Sequence, residues 1–186
     1  MRTEVRVRSR AVAQSSELST QSLSHELMAR RGDGSQEEAL KSAVEFLSYR
    51  ARSEAEVQAK LTQLGHSQEI IRATLQKLRG LNYSNDETFA RDWAQSRVEG
   101  RGYGPLRIER ELRQKGIAKS LISRILEETF GKQEGKKGAQ MLLEKRFRDK
   151  DLSDVRVQRR AIAFLQRRGY RDSVIAEVLK QPLGDA

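Results

Sequence analysis

The chain has 186 residues, a formal net charge of +10, 33% charged and only 5% aromatic residues, and no cysteine. So few aromatics argue against a β-rich protein and suit helices with charged surfaces. The missing cysteines exclude disulfides, thiolate metal sites and a thiol nucleophile, and are compatible with a reducing cytoplasm.

Residues 1–36 are rich in Ser, Gln and Arg and poor in apolar side chains, so they read as a mobile arm with too little to bury. MRTEVRVRSR lacks the apolar core of a signal peptide, and no apolar run approaches the ~20 residues of a membrane span. From Glu37 the period turns helical: Ala39, Ala43, Phe46 and Leu47 follow spacings of three and four. Ser53 with Glu56 has the form of a capping box and opens a second helix, whose apolar face is Val57, Leu61 and Leu64. Gly65 ends that helix as a left-handed cap, and Ser67 opens a third carrying Ile70, Ile71, Leu75 and Leu78.

The same unit recurs twice. Gly65, Gly116 and Gly169 set the register. Four residues upstream stand Leu61, Leu112 and Leu165; eight upstream, Val57, Ile108 and Ala161. Six downstream stand Ile71, Ile122 and Ile175; ten downstream, Leu75, Leu126 and Leu179. Each pair of helices is preceded by a leading helix, over 37–50, 84–99 and 135–149, the middle one capped by Ser84 with Glu87. The expected fold is all-α: three tandem three-helix, helix-turn-helix-like repeats over 37–81, 82–131 and 132–186 (the last with a short C-terminal tail). Phe89 and Trp93 on the middle leading helix, with Phe46, Phe130, Phe147 and Phe164, are read as core.

Gly100, Gly102 and Gly104 are placed in one turn, with Pro105 at the first position of the next helix. A phosphate-binding loop would need a preceding strand and a Gly-Lys-Ser/Thr ending, and the sequence offers neither. Catalysis has little to stand on. His25 and His66 are isolated, and carboxylates such as Glu109 stand three or four residues from arginines, the spacing of ion pairs along a helix. The expectation is a binding protein and not an enzyme, without cofactor or metal.

Charge is uneven. Residues 136–171 carry twelve Lys and Arg against four Asp and Glu, whereas 86–130 carry nine against eight. Such a field attracts anionic partners. The candidate contact residues are Arg97, Arg101, Tyr103, Arg107, Arg110, Arg113 and Lys115 in the second repeat, and Arg156, Arg159, Arg160, Arg167 and Arg168 in the third. Sequence-specific DNA readout is not expected, because third helices such as AKSLISRILEE are short of the Arg, Asn and Gln that reach base edges. Non-specific, salt-sensitive DNA binding fits the same charge.

The run NDETFARDWAQSRVEGRGYGPLRIERELRQKGI (85–117) resembles the central signature of the RecX regulatory family. The matching features are Asn85-Asp86, Phe89-Ala90, Gly102 to Gly104, Ile108, Glu111-Leu112 and Lys115-Gly116-Ile117. FLQRRGYRDSVIAEVL and YRARSEAEVQAKLTQLG are similar to that family's third and first units, so the resemblance spans about residues 37–181. Asn85 stands where the family more usually has Asp. The resemblance implies an elongated, often curved array of three repeats. It also implies binding to the RecA recombinase filament on single-stranded DNA, limiting ATP hydrolysis, strand exchange and coprotease function. Apart from the resemblance, a cytoplasmic location is the expectation from the missing cysteines, and a monomer is the default state.

Overall fold

In a computed structural model of the chain, residues 35–131 and 134–180 are described; the reading of residues 1–34 as an arm lies outside them. The described residues form helices α1 (Gln36–Ser48), α2 (Glu54–Gln63), α3 (Gln68–Gly80), α4 (Asp86–Arg101), α5 (Pro105–Gln114), α6 (Lys119–Phe130), α7 (Glu134–Phe147), α8 (Val155–Arg168) and α9 (Asp172–Leu179), and no strands. They fall into three consecutive sets of three, each with its own apolar core.

The repeat register is a packing register. Val57, Ile108 and Ala161, and Leu61, Leu112 and Leu165, are all completely buried, and Ile71, Ile122 and Ile175 nearly so. The turn glycines Gly65, Gly116 and Gly169 take φ of +87°, +76° and +88°, where a side chain would be strained. Each turn carries one bonding pattern: the glycine N–H donates to the carbonyl three residues back, and the following N–H to the carbonyl five back (Thr62 and Leu61, Arg113 and Leu112, Gln166 and Leu165). These satisfy helix-end carbonyls that would otherwise be orphaned. The column ten residues downstream is weaker than expected. Leu126 and Leu179 are only partly buried, and the position one residue earlier (Thr74, Ile125, Val178) is the buried one throughout.

Two compact units divide the described residues: those up to 50 with 57–83, and 51–56 with those from 84 onward. In the first, Ala39 and Ala43 of α1 pack with Val57, Leu61, Ile71, Leu75 and Leu78. α1 opens on a capping box, with Glu38 N–H donating to Ser35 Oγ and Ser35 N–H to the Glu38 carboxylate, each at 3.2 Å. Ser67 caps α3 through Ile70 N–H.

In the second unit the capping box at the start of α2 forms as expected, its two bonds between Ser53 and Glu56 each at 3.3 Å. The buried Ser53 hydroxyl also donates to the Lys115 carbonyl at 2.6 Å, and Glu54 N–H to Asp86 Oδ1 at 2.9 Å. Two expectations for α4 are corrected. Its N-cap is Asn85, whose Oδ1 accepts from Glu87 and Thr88 N–H, while the Ser84 hydroxyl is buried with no partner. Asn and Asp cap almost equally well, so Asn85 keeps the function of the usual Asp. At the other end Gly100 is still helical; the turn starts at Gly102, left-handed at φ +58°.

A basic cleft in the second unit

The α4–α5 turn docks against the α8–α9 turn backbone to backbone. Gly104 N–H donates to the Arg168 carbonyl at 2.8 Å, and Leu106 N–H to the Gly169 carbonyl at 3.0 Å. The first-turn donors of α5 thus find carbonyl partners in the third repeat. The approach leaves no room for side chains. A Cβ on Gly104 would lie 2.6 Å from the Gly169 oxygen, and one on Gly169 would lie 2.5 Å from Arg107 N.

Around this joint the basic side chains stand on aromatic rings. Tyr103 is buried, and the Arg107 guanidinium lies over its ring at 3.8 Å, with Arg101 and Arg168 each at 5.9 Å. Arg168 is also 5.2 Å, and Arg146 5.8 Å, from the ring centre of the half-buried Phe164. Arg107 donates to the Arg167 carbonyl at 3.1 Å, and Arg101 to the Tyr103 hydroxyl at 3.3 Å. That hydrogen bond, with the charge of Arg107, holds the Tyr103 phenol below its ordinary range. The result is a cleft of about 480 Å³ lined by Tyr103, Phe164, Arg101, Arg107, Arg167 and Arg168 beside Gly100. A second depression of about 470 Å³ shares Phe164 and Arg167 with it and adds Arg146, Lys150 and Arg160 over Phe147 and Val157.

Other sequence candidates go elsewhere. Trp93, read as core, is half-buried and covered by cations: Arg97 at 4.0 Å and Lys115 at 5.2 Å from its ring centre. Its Nε1 donates to Glu111 at 3.0 Å; Glu111 also accepts from Arg97 at 2.8 Å, and Lys115 pairs with Glu56 at 2.8 Å. Arg97 and Lys115 are therefore neutralised within the unit. Arg113 pairs with Glu109, and Arg110 is exposed, with neither lining the clefts. Arg156 and Arg159 are exposed on α8, also outside them. Sequence reasoning missed Lys150 as a candidate and assigned Phe164 to the core alone. The signal was present in the Phe164–Arg168 run, where Phe164 and Leu165 are followed within one helical turn by Arg167 and Arg168. Among the described residues, no group of three His, Cys, Asp or Glu side chains is placed to hold a metal ion, and no helix is long and apolar enough to cross a membrane.

Comparison with known proteins matches each repeat separately. Residues 39–78, 85–126 and 138–179 match the first, second and third three-helix domains of RecX, respectively. The chain is 34% identical over 149 residues to the regulatory protein RecX of Mycobacterium sp. (strain KMS), covering 77% of this chain and 81% of that one. It is 30% identical over 154 residues to the RecX of Mycolicibacterium smegmatis, covering 81% and 82%. A crystal structure of a regulatory protein RecX superposes with a TM-score of 0.66 at 26% identity, over 78% of this chain and 73% of that one. The structure of RecX from Lactobacillus salivarius, at 21% identity and a TM-score of 0.69, shares the fold over 78% and 94%.

Proposed function

The chain belongs to the RecX family of regulatory proteins, and from that premise we propose that it binds the RecA–single-stranded DNA filament and restrains it, lowering ATP hydrolysis, strand exchange and coprotease activity. The observation that carries the reading is the match of all three repeats, in order, to the family's three domains. Repeated helical units suit a binder that lies along a repeating partner, since each unit can meet an equivalent surface. The cations of the clefts suit an anionic partner, whether acidic filament surface or the enclosed strand.

The test is RecA's single-strand-dependent ATP hydrolysis, with the chain titrated well below one copy per RecA subunit beside a strand-binding assay at the same salt. A strong fall in hydrolysis is expected at levels that leave naked strand mostly unbound. Undiminished hydrolysis with salt-sensitive strand binding would overturn the regulator reading and favour a non-specific DNA-binding protein instead.

A further inference from the structure

Positive charge in the second unit is sorted into two kinds. Along α4–α6, Arg91, Arg97, Arg113, Lys115 and Arg124 each reach a carboxylate. Around Phe164 the pattern reverses. Of the seven cations lining the two depressions, only Arg107 pairs with a carboxylate among the described residues, with Glu111 at 3.6 Å, and no carboxylate lines either depression. Like charges held together repel, so this grouping opposes folding unless an anion joins it.

The grouping is also rigidly held. Arg107 sits over Tyr103 at 3.8 Å and donates to the Arg167 carbonyl, and Arg168 lies 5.2 Å from the Phe164 ring centre, so the rings and the backbone hold these cations in place. The Gly104–Arg168 and Leu106–Gly169 backbone bonds fix the cations of one repeat against those of the next. Such preorganisation lowers the ordering cost of binding.

Two depressions sharing Phe164 and Arg167 form a track, not a single pocket. A track asks for anions repeated along a flexible chain. A duplex carries its phosphates on a stiff convex cylinder and does not follow a concave, side-chain-sized path. A single strand does, and its unpaired bases can meet the partly exposed Phe164. We propose that this joined cleft between the second and third repeats binds the consecutive phosphates of a single nucleic-acid strand, directly and without a recombinase. The inference deepens the regulator reading by naming a strand contact, and its test contains no RecA, so either can fail alone.

The experiment is fluorescence anisotropy of a labelled oligothymidylate with the full chain across a salt series. Arg160→Glu with Arg167→Glu is expected to weaken binding by about tenfold or more and to flatten the salt slope by about 1.4, at about 0.7 per lost phosphate contact on a single strand. Arg72→Glu with Lys77→Glu makes the same change in net charge on exposed positions of α3, and should stay within about twofold. The milder pair Arg160→Gln with Arg167→Gln guards against misfolding and should weaken binding in the same direction, with the helical signal intact. Inorganic polyphosphate should displace the strand, and polyglutamate of equal charge should not. Equal weakening by both charge-reversal pairs, no weakening by the cleft pair, or equal displacement by polyglutamate would each overturn the proposal.

Discussion

Two buried tyrosines in the second unit show how much one neighbour decides. Tyr103 accepts a hydrogen bond from Arg101, which holds its phenol below the ordinary value; Tyr170 is buried without such a donor, and desolvation pushes it up to about 12. A group whose folded pKa is raised favours the fold below its unfolded value and loses that contribution as pH climbs to the folded one. Stability of the second unit should therefore decline between about pH 10 and 12 as the unfolded Tyr170 phenol ionises and the buried one resists. Parallel records of phenolate absorbance and helicity check this; a fourth tyrosine ionising before any helix is lost would contradict it. At the acid end, Glu87 is held below its ordinary value first by the hydrogen bond from Arg124, then by that cation's charge and by Arg91. Arg124→Gln should move the Glu87 carboxyl back up in an NMR titration.

Among the elements, the three turn glycines share a conformation but not a setting. A methyl group on Gly65 meets nothing within 4 Å, on Gly116 it meets the Ala55 side chain at 2.4 Å, and on Gly169 it meets the Arg107 backbone at 2.5 Å. Gly65→Ala should cost about 1–2 kcal/mol, the left-handed penalty alone. Gly169→Ala should cost clearly more, because backbone has to move, and Gly116→Ala should fall between. Denaturant unfolding of the three variants gives the order; equal costs would mean that the close approaches relax freely. In the register four residues upstream of each glycine, Leu112→Ala should destabilise by roughly 2–5 kcal/mol, as expected for a completely buried leucine.

On the scale of the whole molecule, net charge is a poor guide and its neutralisation a better one. The formal +10 is concentrated in residues 136–171, and in the second unit most cations of α4–α6 are answered by carboxylates while, of those lining the two depressions, only Arg107 is so answered among the described residues. If the proposed function holds, the concentration of chain that half-inhibits RecA should rise with ionic strength, since exposed charges are increasingly screened between low and moderate salt. Titrations of ATP hydrolysis at several salt concentrations check this, with salt controls on RecA alone.

The family signature turns out to be largely architectural. Asn85 caps α4, Asp86 ties down Glu54, Phe89, Ala90, Ile108 and Leu112 fill the core, Glu111 holds Trp93 and Arg97, and Gly116 turns the chain. Those roles depend on periodicity, capping chemistry and φ, which act over a few residues, so the sequence by itself determined the helices, their turns and the threefold repeat. The capping of α4 slipped by one residue because Ser84 and Asn85 are both good caps and only packing, which buries Ser84, chooses between them. Which arginines remain unpaired was not legible. Arg97, Arg101, Arg107 and Arg113 look alike along the chain, and their separation into neutralised and unneutralised sets depends on carboxylates and aromatic rings delivered from other helices. Tertiary structure alone brings Phe164, Arg167 and Arg168 across to Tyr103 and Arg107, some sixty residues away in the chain, because the Gly104–Gly169 approach lets two backbones meet where any side chain would keep them apart.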